Sequence, residues 1–308
     1  MKIAVSFVVP TLYAPSLEKT LLSISYQTMS SYIEDIIVVG SQMDGDWVKI
    51  PKVKYIANTD KPTPARNRNL AVKYSSGNWI CFVDADCYLS QDWLEECLKH
   101  VEAYKPEAVC GSILLPPDSS YWTQCDHFLS FASFRQSNSQ PKWISHCPSM
   151  SMLVSKEVFE RVGGFDESFV KASGEDFEFC DRLQRWKGRI LFVPTAKAFH
   201  NHQRHHFLSV WQHLYNYGFT LMQRREKSYL NKSWKFFLRV ASIPGLLETL
   251  GLVRVLTRIP KHIHIARQPE SGYDLSLLPG ILALDVAISL GIVHGIREGS
   301  MRRCTHPW

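Results

Sequence analysis

The sequence predicts an α/β fold, a mostly parallel, Rossmann-like sheet flanked by helices, followed by a C-terminal helical extension. Three observations predict it. Short β-branched runs alternate with amphipathic stretches through the first half of the chain. Those runs are continuously apolar, as strands covered on both faces are, rather than alternating. Near the C-terminus, two apolar stretches, 234–259 and 275–296, are long enough for extended helices.

The elements follow in order. Residues 5–9 form a first strand, and Leu17, Leu21, Leu22 and Ile24 recur at helical spacing. Residues 34–39 (EDIIVV) and 53–56 are strands, and 64–74 is a helix that opens with a proline at its first position. WICFV (79–83) reads as a fully buried strand, 93–104 as a helix and 108–115 as a strand. Residues 116–147, rich in Ser, Gln, Pro and aromatics, show no clean strand, and a stretch that long without structure points to substrate contact. A strand at 150–154, helices at 155–162 and 174–186 and a strand at 189–193 restore the rhythm.

Charge divides the chain. Residues 1–181 hold 16 Lys+Arg against 23 Asp+Glu, whereas 182–308 hold 19 against 6. The basic part suits phosphates, of a nucleotide or an anionic membrane. It shows no basic-aromatic interleaving of a nucleic-acid reader, so no nucleic-acid partner is expected. The eight cysteines are scattered without a CxxC pair, which disfavours a zinc site or a disulfide framework. The apolar run at the start stops at Pro10 without a small-residue cleavage site. The expectation is a buried first strand and a cytoplasmic enzyme at the inner face of the cell membrane.

Chemistry concentrates in three places. Asp84-Ala85-Asp86 follow WICFV directly, at the carboxyl edge of the sheet where ligands of such folds bind. Their oxygen donors suit Mg²⁺ or Mn²⁺ bridging to phosphate, although a solvated turn explains the triplet alone. Gly174-Glu175-Asp176 opens a helix, where acidic residues also complement the helix dipole. The cluster His200, His202, His205 and His206 follows the strand-like ILFVP, which returns His200 to the same edge as a further metal ligand.

Taken together, VVPTL (8–12), EDIIVVG (34–40), PARNRN (64–69), GNWICFVDAD (77–86), GGFDE (163–167), GEDFEFCDRL (174–183) and HFLSVWQHLYNYG (206–218) resemble the family 2 glycosyltransferases of the GT-A fold, over residues 3–220. The resemblance implies an inverting enzyme using a nucleotide-sugar donor and a divalent cation. It places Pro10 and Thr11 in the nucleotide pocket, Arg66 near the diphosphate or base, Asp84 on the ribose side and Asp86 on the metal. Asp176 is implied as catalytic base with Glu175 beside it, and His200 as the late histidine near the metal. The family's acidic residue at the end of the second strand is replaced by Gly40, which leaves the nucleobase open; Asp44 and Asp60 are candidates to substitute. Gln184-Arg185-Trp186 lacks the gap of the processive synthases' Q-x-x-R-W motif and reads as part of a helix.

The expected division is a catalytic domain over 1–230 and a basic, apolar, membrane-associated helical region over 231–308. Residues 234–259, interrupted by Arg239, Glu248, Arg254 and Arg258, suit a helix lying on a membrane surface. Residues 275–296 are long enough to span, but Asp285 at the centre costs about 2.5–3.5 kcal/mol, nearly offsetting the apolar gains. A helical pair buried against protein is the competing reading. Expected partners are a nucleotide-sugar donor and a glycan or lipid-linked acceptor, with Tyr121, Trp122 and Trp143 shaping the acceptor side. Nucleotidyl transfer and non-catalytic sugar-nucleotide binding are the alternatives.

Overall fold

A computed structural model describes residues 2–12, 14–41, 45–60, 62–135, 140–169, 174–201, 204–227, 245–268 and 272–305. The chain forms two compact units, one of residues 1–116 and 133–203, the other of 117–132 and 204–308. This geometric seam falls at 203/204 rather than 230/231, and the second unit recruits a segment from the middle of the chain.

The first unit is built on a nine-stranded sheet. Its strands are β1 (Val5–Thr11), β2 (Ile33–Gly40), β3 (Val53–Ala57), β4 (Trp79–Phe82), β5 (Cys87–Leu89), β6 (Ala108–Leu114), β7 (Lys142–Ile144), β8 (Met152–Ser155) and β9 (Ile190–His200). They run in the order β3-β2-β1-β4-β8-β6-β9-β5, with β7 also on β9. The parallel expectation holds for β3-β2-β1-β4. Beyond it, β8 lies antiparallel to both β4 and β6, while β9 is again parallel to β6. Apolar periodicity reports burial, not direction, so this reversed strand was invisible in the pattern.

β1 and β2 bury successive residues, Val5, Phe7, Val8 and Val9 on one and Ile36, Ile37, Val38 and Val39 on the other, because both faces of the sheet are covered. The covering helices are α1 (Leu17–Ser25), α2 (Pro64–Tyr74), α3 (Trp93–Tyr104), α5 (Lys156–Val162) and α6 (Glu175–Arg185). Helix α2 begins where the sequence places it: Thr63 accepts a hydrogen bond from the Arg66 amide and Pro64 occupies the first turn. Gln184 and Arg185 end α6, and Trp186 caps it, as a helical reading of that triplet requires.

The stretch 116–147 is more regular than expected. It contains α4 (Tyr121–Phe131), capped by Ser120, and the short strand β7. Its polar composition hid a helix that buries Thr123, Asp126 and His127 and whose Cys125 and Phe128 join the core of the second unit. That core also includes Val210 and Leu214 from α7 (Phe207–Lys227), Ala266 from the Leu246–Ala266 helix, and Ile281, Leu284 and Ile288 from the Leu278–Thr305 helix.

Asp285 is fully buried there. Arg254, Arg258 and His262, each four residues apart on one helix face, meet its carboxylate at 2.8, 3.3 and 3.2 Å. Burial alone would raise the Asp285 pKa, but His262, Arg258 and Arg254 outweigh it and hold the group below the usual carboxylate range. The residue that made a membrane span costly is thus the anchor of a helix pair. Leu275–Glu298 is long and apolar enough to cross a membrane, yet 56% of its most apolar window is buried.

Candidate active site

The parallel strands deliver their carboxyl ends to one edge. β1 finishes with Pro10 and the buried Thr11, in register with Val39 and Gly40 of β2. A Cβ on Gly40 would lie 2.1 Å from the Thr11 carbonyl oxygen, so no acidic side chain can stand at that strand end. Asp60 is exposed beyond β3, and Asp44 lies outside the described residues.

After β4 the chain turns through Asp84-Ala85-Asp86 into β5. The turn is fastened by Thr20 Oγ1, which donates to the Ala85 carbonyl at 2.9 Å, and by the Cys87 amide, which donates to the Asp84 carbonyl at 2.9 Å. β5 pairs with the end of β9, setting Cys87 opposite His200, and the Asn201 amide donates to the Asp86 carbonyl at 2.9 Å. Asp86 Oδ2 and His200 Nε2 lie 3.3 Å apart. His200 is buried and Asp86 is half-buried. With Cys87, their ligand atoms all fall within 4.8 Å of one another, a spacing one divalent cation can bridge. Among the other histidines of the cluster, His202 lies outside the described residues, and His205 faces Thr123 in the second unit, its Nδ1 3.4 Å from Oγ1.

The second half of the site is held by Arg68, which the sequence reading passed over. Its guanidinium, almost fully buried, donates to Asp84 Oδ1 at 2.6 Å through Nη2 and to Glu175 Oε1 at 2.7 Å through Nη1. One side chain thereby joins the Asp84–Asp86 turn to the start of α6. Arg66 points elsewhere, half-exposed, with Nε 3.6 Å from Glu167 Oε2. Residues two apart on a helix do not face the same way, so only one of the two arginines can enter the sheet edge. The Arg-x-Arg pair in PARNRN was the available signal. Which member is buried depends on how α2 rests on the strands, and no spacing rule reports that.

Gly174 enters α6 at φ +95°, a left-handed conformation that side chains rarely adopt, and this sharp entry presents Glu175 and Asp176 together. Asp176 is held from two sides: its Oδ2 accepts from the Ser149 amide at 3.1 Å and its Oδ1 from the Phe177 amide at 2.8 Å. Burial raises the Asp176 pKa against the pull of Arg68 and these amides. Burial, and then the neighbouring Asp176, push Glu175 up to about 7 despite Arg68. Desolvation would lower the Arg68 pKa, but Asp84 and Glu175 more than reverse it and keep the guanidinium charged. Glu175 Oε2 and Arg68 Nε are buried without a hydrogen-bond partner. Such buried, unpaired polar atoms suit an ordered water or a hydroxyl-bearing ligand.

Behind the carboxylates, Arg182 is clamped by Glu178 at 2.7 Å and donates to the Val162 and Gly164 carbonyls, each at 2.6 Å. Asn69 exchanges hydrogen bonds with the Phe165 backbone at 2.8 and 2.9 Å. GGFDE is therefore a braced loop. The aromatics expected at the acceptor side make contacts of their own. Trp143 sits on β7, which pairs with the Ile190–Phe192 end of β9, while His200 lies at the other end of that strand. It packs under Arg189, 4.7 Å away. Tyr121 donates to the Ser276 carbonyl at 3.2 Å, and Trp122 packs on Phe207, both within the second unit.

Comparison with known proteins gives this arrangement a context. The human polypeptide N-acetylgalactosaminyltransferase 14 is 24% identical over 214 residues, 62% of this chain but 39% of that protein. The chain thus spans about two fifths of the length of this curated relative. Among solved structures, a mannosyltransferase from Pyrobaculum calidifontis in complex with GDP-Man and Mn²⁺ superposes with a TM-score of 0.58 at 17% identity, covering 95% of this chain and 88% of that one. S. aureus TarS in complex with UDP-GlcNAc follows at 0.55 and 14%, covering 97% and 92%. These structural matches show the GT-A fold. Residues 132–206 match the model described as the N-terminal domain of galactosyltransferase. Residues 6–163, just over half of the chain, match Glycosyl transferase family 2, and the chain belongs to that family.

Proposed function

We propose that this protein is an inverting glycosyltransferase, moving a sugar from a nucleoside-diphosphate donor to a hydroxyl of a glycan or lipid-linked acceptor. The observation that carries this reading is the meeting of two groups at one sheet edge: Asp86 with His200, and Glu175-Asp176 tied to Asp84 by Arg68. The relatives' names and the sugar nucleotides bound in the neighbouring structures support the donor class.

Asp86 and His200 would hold a divalent cation, Mg²⁺ or Mn²⁺, whose positive charge stabilises the leaving diphosphate. The chain's own residues do the rest. Pro10 and Thr11 border the nucleotide at the end of β1, and Asp84 is fixed by Arg68 toward the ribose. Asp176, held by two backbone amides, retains lone pairs to accept the proton of the attacking hydroxyl. Glu175 orients a sugar hydroxyl through the oxygen that Arg68 leaves unbonded. A single base opposite the leaving group gives one in-line displacement and inversion.

We further propose that the second unit holds the enzyme at the cytosolic surface of a membrane, in envelope-glycan or polysaccharide synthesis. Supporting this are the basic excess of residues 182–308 and the exposed Leu250, Leu252, Val253 and Leu256 of the Leu246–Ala266 helix. The seven described cysteines, all buried free thiols, accord with a reducing compartment. Flotation with anionic vesicles tests the attachment; a chain that stays at the bottom at low salt contradicts it.

A panel of nucleotide sugars, each with and without Mn²⁺, tests the catalytic reading by protection against thermal unfolding. The expected result is one donor class that stabilises only with the cation and is then converted to nucleoside diphosphate. Release of pyrophosphate instead would turn the reading to nucleotidyl transfer.

A further inference from the structure

The residue after Asp86 is a cysteine, and its position is chemically pointed. Cys87 is 1% exposed, its backbone pairs with that of His200, and its Sγ lies 3.8 Å from Asp86 Oδ1. Asp86 Oδ2 is 3.3 Å from His200 Nε2, and the three ligand atoms fit within 4.8 Å. Around a tetrahedral ion with bonds of about 2.0–2.3 Å, neighbouring donors stand roughly 3.3–3.6 Å apart. The Asp86–His200 pair already has that spacing, and drawing Cys87 Sγ, which faces the other Asp86 oxygen, onto the same ion takes a shift of about 1 Å within the 4.8 Å cluster. Asp86 supplies the open side, since it alone of the three is half-buried rather than buried.

We infer that Cys87 is a third donor of this cation site, and that the site therefore binds a borderline-soft ion such as Zn²⁺ or Co²⁺ in preference to Mg²⁺. The inference rests on the reading of Asp86 and His200 as cation ligands. Hard oxygen ligands suit Mg²⁺, whereas a sulfur, a nitrogen and an oxygen with one position open match the ligand set of zinc sites that keep room for substrate. When the ion binds, the Cys87 thiol releases its proton to solvent as the metal–sulfur bond forms, with no change of oxidation state. The fourth position remains for a diphosphate oxygen or water. Zn²⁺ would then displace Mn²⁺ from the enzyme at equal concentration.

The test uses the full chain without nucleotide, titrated with Co²⁺ and followed by thiolate-to-cobalt charge-transfer absorption. The expected result is a saturable band that Zn²⁺ abolishes, that is lost in Cys87→Ser and that persists in Cys97→Ser, a buried thiol of α3. Zn²⁺ affinity falls by more than about tenfold in Cys87→Ser, at least the loss seen when a ligand's supporting partner is removed. Mn²⁺ binding, read by electron paramagnetic resonance, falls far less in Cys87→Ser but is abolished in Asp86→Asn. Should Cys87→Ser not fold, the chemical shift of bound cadmium in the unmodified protein reads the sulfur donor directly. No charge-transfer band in the unmodified protein, or a band retained in Cys87→Ser, overturns the role of Cys87 while Mn²⁺ binding leaves the cation site intact. Absence of all metal binding overturns the cation site itself.

Discussion

Two buried charge clusters in this molecule are built in opposite proportion. In the second unit, one carboxylate, Asp285, is shared by Arg254, Arg258 and His262, and it is held below the usual carboxylate range. At the sheet edge of the first unit, one guanidinium, Arg68, serves Asp84 and Glu175 with Asp176 close by, and both Glu175 and Asp176 are pushed up. The first arrangement oversupplies countercharge and fastens two helices. The second leaves negative charge uncompensated. A fold keeps that arrangement where a ligand or a proton is to be received. The contrast separates an ion cluster that fastens helices from one proposed to act on a ligand, without reference to any relative.

Substituting Asp176 breaks the comparison most sharply. Asp176→Asn lowers kcat by about 10²–10⁴, the usual worth of a general base, while the donor's protection against unfolding is retained. Arg68→Met removes the guanidinium that pairs with both Asp84 and Glu175, and the expected cost is about 3–5 kcal/mol of stability, read by denaturant titration. Arg68→Lys keeps the charge but not the two-pronged geometry, so stability recovers more fully than kcat/KM.

Asp285→Asn destabilises the second unit by about 3 kcal/mol, measured by the unfolding midpoint, because two arginines lose their shared partner. Since the folded Asp285 pKa is lowered, its stabilisation is present above the usual carboxylate value and is lost as pH falls through the folded one. Glu175 has the opposite sign. Its folded pKa, up to about 7, makes its contribution complete below the usual glutamate value and lost as pH rises through about 7. Carboxyl infrared bands should show this titration near neutrality, and Asp176→Asn should move it downward, because Asp176 is the largest charge raising it. That shift is the smallest of the effects expected here.

Much of this was legible in the residues. Helices 64–74 and 93–104 are found where periodicity places them, and the first four strands are found within a residue or two. The order of short motifs was enough to bring Asp84, Asp86, Glu175 and His200 into one argument. What stayed hidden depends on three dimensions. The direction of β8 leaves no trace in hydropathy. The choice of Arg68 over Arg66 is made by the seating of one helix. The crowding that excludes a side chain at Gly40 comes from the Thr11 carbonyl on another strand. Residues 116–147 misled because their helix buries polar Thr123, Asp126 and His127 beside Cys125 and Phe128, which leaves no apolar period to read.

The configuration of the first-formed sugar product tests the central claim most directly. With the donor that protects the protein in hand, proton NMR of the early reaction should show an anomeric centre opposite to the donor's, as one displacement assisted by Asp176 alone requires. A product that keeps the donor's configuration would contradict that assignment.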